Sequence, residues 1–127
     1  QVRLERYGSG EVMQYPGVVP DGMRYIIDGT ATISIAVDGG GAVTFATLDR
    51  DDVVGLTALT RQGALARITA ATDLAALFVP TAVLDGLVKT RPKLARDIGQ
   101  EIDNRRTLAT AALSAVGATR TGSGMIA

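Results

Sequence analysis

The 127-residue sequence contains no cysteine, no histidine and no tryptophan, and its 13 Lys and Arg are balanced by 13 Asp and Glu. Each absence removes a class of chemistry. Without Cys there is no disulfide, no thiolate nucleophile and no cysteine-ligated zinc; without His there is no imidazole base and no Ser-His-Asp triad. A net charge of zero argues against a polyanion-binding surface, because affinity for nucleic acid comes mainly from basic side chains that neutralise phosphates. A local anion pocket is still allowed. No apolar run approaches the roughly 18–20 residues that span a bilayer, and no basic-then-apolar signal segment opens the chain. Residues 1–127 therefore read as one non-enzymatic domain that inserts in no membrane and binds no nucleic acid. The chain opens on Gln1 rather than Met, so it is read as one part of a longer protein.

What is present divides near Pro80. Before it, short alternating segments are separated by turn residues; after it, the pattern is helical, which predicts a mainly β domain with helices gathered at the C-terminal side. Alternation is clear in Tyr25-Ile26-Ile27, in 31–37 and in 42–48, and Asp38-Gly39-Gly40-Gly41 predicts a hairpin between the last two. Further turns fall at 8–10, Pro16-Gly17, Pro20-Asp21-Gly22 and Asp28-Gly29. Segments 67–71 and 74–79 read as two more strands joined near Thr72-Asp73. Thr81 is the expected N-cap of a short helix through Leu84, Leu87 and Val88, and Pro92 opens a longer one. On that helix Leu94, Ile98 and Ile102 form an apolar stripe that meets a core or a partner, while Arg105-Arg106 read as a solvated face. The roll thus spans about 1–80, the helices about 81–116 and a fraying tail 117–127.

Taken in order, Tyr7, Gly10-Glu11-Val12, Pro16-Gly17, Pro20-Asp21-Gly22-Met23, Tyr25-Ile26-Ile27 and Gly29 resemble the opening of a cyclic nucleotide-binding domain. The resemblance continues through Leu48, Asp52, Val54-Gly55, Ala58-Leu59, Ala70, Thr72-Asp73, Pro80, Leu84, Leu87, Pro92 and Leu94, and covers roughly residues 3–106. It implies an antiparallel β-roll, of jelly-roll type, followed by hinge helices. It also implies a two-state mechanism in which a ligand lets those helices close and signals to an attached effector.

In that family the cyclic phosphate sits on a segment written roughly Phe-Gly-Glu-x-Ala-Leu, with Arg-x-Ala a few residues on. Backbone N–H groups and the Arg hold the phosphate, and the Glu accepts from the ribose hydroxyl. The matching segments here are Val54-Gly55-Leu56-Thr57-Ala58-Leu59 and Ala64-Leu65-Ala66. Leu56 thus stands in the glutamate's place and Ala64 in the arginine's, and Leu65 replaces a position where some members have Ser or Thr. A missing charged pair of this kind removes about 2–5 kcal/mol, a thirtyfold to several-thousandfold loss of affinity. The three changes together turn a charged pocket apolar, which avoids buried unpaired ions. Either the pocket is closed by its own side chains or it accepts an apolar ligand, and closure is favoured. Two arginines are candidate substitutes, though each reads first as an exposed charge: Arg61, if its loop folds inward, and Arg67, which the period of two turns to the opposite face of its strand.

The resemblance implies a regulatory module of a larger, bacterial polypeptide, in one arrangement the cytoplasmic part of a membrane channel or transporter, with weak or absent cyclic AMP and cyclic GMP binding. Cofactors are none, the nucleotides entering only if the cassette is still competent. The alternatives are a working sensor that uses backbone amides and Arg61, and a homo-oligomerising interaction module that uses the helical stripe. Asp49, Asp51 and Asp52 lack a metal-binding spacing and are read as turn residues, with Asp51 replacing the glycine usual there.

Overall fold

The computed structural model describes residues 2–37 and 39–117. Eight strands precede two helices: β1 (Arg3–Tyr7), β2 (Val12–Gln14), β3 (Gly22–Asp28), β4 (Ala31–Ala36), β5 (Ala42–Leu48), β6 (Val53–Val54), β7 (Arg67–Ala70), β8 (Leu74–Pro80), α1 (Thr81–Thr90) and α2 (Pro92–Gly117). A single 3-10 turn, Leu56–Ala58, follows β6. The strands form two four-stranded antiparallel sheets, ordered β1-β8-β3-β6 and β2-β7-β4-β5. The first strand pairs with the last, and β7 and β8, neighbours in the chain, lie in different sheets.

Period-two alternation explains the layering. In the first sheet Ile26, Val54, Leu74 and Ala76 point into the space between the sheets, where they meet Ile33, Ala31, Ile68 and Ala70 of the second. The opposite face of β3, β6 and β8 carries Met23, Val53 and Val79, which meet the helices. Ile26, Ile33, Ile68 and Val54 are almost completely buried, each worth about 1.5–3 kcal/mol of apolar burial. The β4–β5 hairpin has the expected register, Ala31 opposite Leu48 and Ala36 opposite Ala42, and the Val37 N–H donates to Gly41 O at 3.0 Å. Asp38 of that turn lies outside the described residues, as does the tail from 118 onward.

Two local expectations are corrected. Thr81 is the first helical residue of α1, not its cap; Pro80 occupies the N-cap in an extended conformation without a side-chain bond, and the Thr81 N–H donates to Asp21 O at 3.1 Å. The tertiary contact supplies the acceptor that a capping side chain would otherwise provide. Gly117 belongs to α2 rather than to a fraying tail.

One polar cluster closes the β1–β8–β3 edge. Phe78 stands in register between Arg3 and Arg24, whose guanidinium carbons lie 4.6 and 4.3 Å from its ring centre. Glu5 accepts from Arg24 Nε at 2.7 Å, from Tyr7 OH at 2.7 Å and from Arg3 Nη2 at 2.9 Å. Burial pushes the Glu5 carboxyl up, but these hydrogen bonds and the two arginine charges outweigh it and hold it below its ordinary value. Burial, together with the bond donated to Glu5, pushes the Tyr7 phenol up to about 12. A phenol raised in the folded state contributes stability that is complete below pH 10 and is lost as the pH climbs toward 12. Glu5, depressed, contributes above the ordinary value of 4.5 and loses that contribution as the pH falls below it. Thermal midpoints recorded against pH are therefore expected to fall on the alkaline side more steeply for the parent protein than for Tyr7→Phe. Superimposable alkaline limbs would show that Tyr7 does not titrate with folding.

Candidate functional site

The segment 53–66 leaves the first sheet at β6 and enters the second at β7, so it crosses the open end of the roll. At its start Gly55 adopts φ 90°, ψ 33°, and a side chain there would overlap the Gly22 carbonyl oxygen of β3. Only glycine meets both demands, the left-handed backbone and the close approach. The chain then makes a 3-10 turn through Leu56, Thr57 and Ala58, all buried.

Gln14 fastens the two ends of this segment. Its Oε1 accepts from the Gly55 N–H at 3.0 Å and its Nε2 donates to Ala66 O at 2.9 Å. Ala64 is held by its backbone: its N–H donates to Val18 O and its carbonyl accepts from the Gly17 N–H, both at 2.9 Å. Nothing in the sequence singled out Gln14, because its role depends on β2 lying beside β7.

Between this segment and α2 lies a cavity of about 40 Å³. By volume it admits about three water-sized bodies. Its walls are largely apolar, built from Ile33, Phe45 and Ile68 of the roll, the methyl groups of Ala64 and Ala66, and Ile102 of α2. Leu56 also lines it while packing with Met23, Ala58, Leu84 and Ile98, and is 7% exposed. Leu65 stands at the rim, 39% exposed, so it fills the cavity far less than Leu56 does. Gly55, Ala58 and Leu59 frame the turn without lining the cavity.

Three polar side chains line this space: Gln14, Thr57 and Arg105. Thr57 is 8% exposed, and its Oγ1 has no hydrogen-bond partner among the described residues. Arg105 of α2 is also 8% exposed, which corrects the reading of Arg105-Arg106 as one solvated face; Arg106 alone is exposed. Arg105 Nε donates to Glu101 Oε2 at 3.1 Å, one turn back along the helix. Burial lowers the Arg105 pKa, with the charges of Glu101 and Asp52 and the Glu101 hydrogen bond opposing the shift only in part. A signal for its burial exists in the sequence: Ile98, Ile102, Arg105 and Ala109 continue one stripe at helical spacing.

The two substitute arginines lie elsewhere. Arg61 is exposed and outside the cavity; its Nη1 donates to Leu59 O at 3.0 Å and its Nη2 to Asp85 of α1 at 2.8 Å. The inward-folded Arg61 is thus not what forms, because Asp85 offers it a carboxylate at the surface. Arg67 is exposed beside Tyr15, 5.7 Å from the ring centre, on the side of β7 opposite Ile68. The Leu94, Ile98 and Ile102 stripe packs against Met23 and Leu84 of its own chain, Ile98 buried and Leu94 and Ile102 partly so. Among the acidic residues, Asp52 accepts from the Asp49 N–H at 2.9 Å and Asp51, at φ 75°, accepts from Tyr25 OH at 2.8 Å. Asp51 takes the left-handed conformation that the usual glycine would take. Among the described residues there is no cluster fit to hold a metal ion.

Comparison with known proteins agrees with this geometry. The family model described as "Cyclic nucleotide-binding domain" matches residues 4–91. Among solved structures, the Thermus thermophilus catabolite activator protein superimposes with a TM-score of 0.75 at 19% identity, covering 91% of this chain and 55% of that one. The regulatory domain of Toxoplasma gondii PKA with cAMP gives 0.68 at 17% identity, covering 79% of this chain and 39% of that one. A cyclic nucleotide-binding-like protein from Brucella abortus gives 0.61 at 19% identity, covering 69% and 76%. The chain thus spans little more than half the length of the Thermus protein. No curated protein matches it in sequence.

Proposed function

Because the chain belongs to the cyclic nucleotide-binding domain family, we propose that it is a regulatory, non-enzymatic module of a longer polypeptide whose pocket is closed on itself, binding cyclic AMP and cyclic GMP weakly or not at all. The observation that carries this reading is a cavity of only about 40 Å³ walled in part by Leu56 and Ala64, the residues that the resemblance sets in the cassette's glutamate and arginine places. The walls offer a cyclic phosphate no arginine from the cassette, only Arg105 of α2, which is paired with Glu101, and Ile102 of α2 closes one side of the space. Entry of a nucleotide requires α2 to leave the roll, at the expense of the Met23, Leu56, Leu84 and Ile98 cluster.

That same cluster makes α2 the moving part. Seated, it is continuous with the core; displaced, it hands a changed position to whatever follows in the polypeptide. In one arrangement the effector is a membrane channel or transporter and the module its cytoplasmic part. Among the described residues no helix is long and apolar enough to cross a membrane. The working-sensor alternative relies on Arg61, which is engaged with Asp85.

Calorimetric titration with cyclic AMP and with cyclic GMP tests the reading. No saturable binding below millimolar concentration is expected, and no rise in thermal midpoint beyond that of a matched salt control. Low-micromolar binding of either nucleotide would overturn it.

A further inference from the structure

We propose that the outer face of the first sheet is an interface with a second copy of this chain, packed sheet on sheet about a two-fold axis. The inference does not depend on the closed-pocket reading, since Leu4, Tyr25, Ile27 and Leu77, which carry it, stand outside the lining of the cavity.

The two sheets differ in what they turn outward. Residues opposite one another on antiparallel strands share a face. On the outer face of the second sheet the register sets Thr69, Thr32 and Thr47 in one row and Arg67, Ser34 and Thr44 in the next. That is the polar face expected of a sheet wetted on one side. On the first sheet the outer row is instead Leu4, Leu77, Tyr25 and Val53. The helices cover only part of this face, at Met23, Val53 and Val79. Leu4 is left 51% exposed, Tyr25 41% and Ile27 39%, with Leu77 half-buried between Leu4 and Tyr25. A contiguous apolar area rimmed by charged residues marks a contact surface.

Charge complementarity identifies the occupant. The next row along the strands holds Arg6, Ala75 and Asp28, with the arginine on β1 and the aspartate on β3, either side of β8. Both are exposed, and neither has an ion-pair partner among the described residues. A two-fold axis lying in the interface parallel to β8 exchanges the two sides of the sheet and preserves position along the strands. The β1 strand of one copy then lies over β3 of the other. This sets Arg6 over Asp28 of the second copy and Leu4 over its Tyr25, each twice, with Leu77 over its own counterpart. Asp51 fixes the Tyr25 ring by accepting from its OH at 2.8 Å, so the aromatic part of the face is ordered before contact. A face of this extent supports reversible association rather than an obligate dimer.

The test is sedimentation velocity of the whole chain over about a hundredfold range of concentration, with NMR dilution shifts to locate the contact. A concentration-dependent dimer is expected, with shifts centred on Leu4, Tyr25 and Ile27. Leu4→Thr, which keeps a strand-forming residue, should weaken it by about tenfold or more. Arg6→Asp and Asp28→Arg should each weaken it by about tenfold, because two attractive pairs become repulsive. Mixed in equal amounts, these two charge variants should pair with each other about as well as the parent pairs with itself, since every contact again sets Asp against Arg. Recovery on mixing also excludes loss of fold, which mixing does not repair. A monomer at every concentration, a dimer whose shifts fall on another face, or charge variants that weaken association without recovery on mixing would each overturn the proposal.

Discussion

The double variant Leu56→Glu with Ala64→Arg is expected to bind cyclic AMP at least ~30-fold more tightly than the parent, and to be markedly less stable when no nucleotide is present. Both positions line the cavity, and both are nearly inaccessible, 7% and 6% exposed. A glutamate and an arginine placed there with α2 seated would be buried charges in an apolar space of about 40 Å³. The protein must then either hold those charges poorly solvated, at a cost of several kcal/mol, or let α2 lift and water enter. A cyclic nucleotide relieves that strain by pairing its phosphate with the arginine and its ribose hydroxyl with the glutamate. Stability and affinity should therefore move together: nucleotide at a hundred times its dissociation constant restores about 2.7 kcal/mol. Thermal melts over a nucleotide series, beside calorimetric titration, read both quantities. A folded double variant with no gain in affinity would show that Leu56 and Ala64 are not at the cassette positions.

Gly55→Ala should lower stability by about 3 kcal/mol or more, and the thermal midpoint by roughly 10–20 °C. Two demands meet at this residue. Its φ of 90° lies where an L side chain is strained, and a β-carbon would overlap the Gly22 carbonyl, which is strand backbone and cannot swing aside. Relief requires β6 to part from β3, where Val54 pairs with Arg24 and Val53 with Tyr25, and that would disturb Val54 in the core and the bond from the Gly55 N–H to Gln14. Gly39→Ala is the matched control: its φ is 93°, but nothing lies within 4 Å of an added β-carbon, so only the backbone strain remains. Equal losses at the two positions, measured by denaturant unfolding, would show that the contact with Gly22 contributes nothing.

Much of the fold was readable from residue order because the signals are local. Alternation in Tyr25-Ile26-Ile27 and in 31–37 depends only on the period of a strand, and Ile26 and Ile33 indeed fill the inter-sheet core. Leu56 and Ala64, which the resemblance sets in the cassette, both line the cavity beside α2. Two adjacent arginines suggest a wet face, and only the helix phase carried through from Ile98 to Ala109 separates buried Arg105 from exposed Arg106. Gln14 had no signal at all, since its partners Gly55 and Ala66 lie 41 and 52 residues away in sequence.

The sequence by itself determined the strand-then-helix order and the family, since these depend on residue identity and spacing along one chain. The tertiary structure alone decided how the remaining charges are used: Asp85 draws Arg61 to the surface, the roll absorbs the Leu94, Ile98 and Ile102 stripe, and α2 brings Arg105 to the cavity that Thr57 faces. The reason is physical. A side chain's partner, unlike its period, is set by which distant segment folding places within reach.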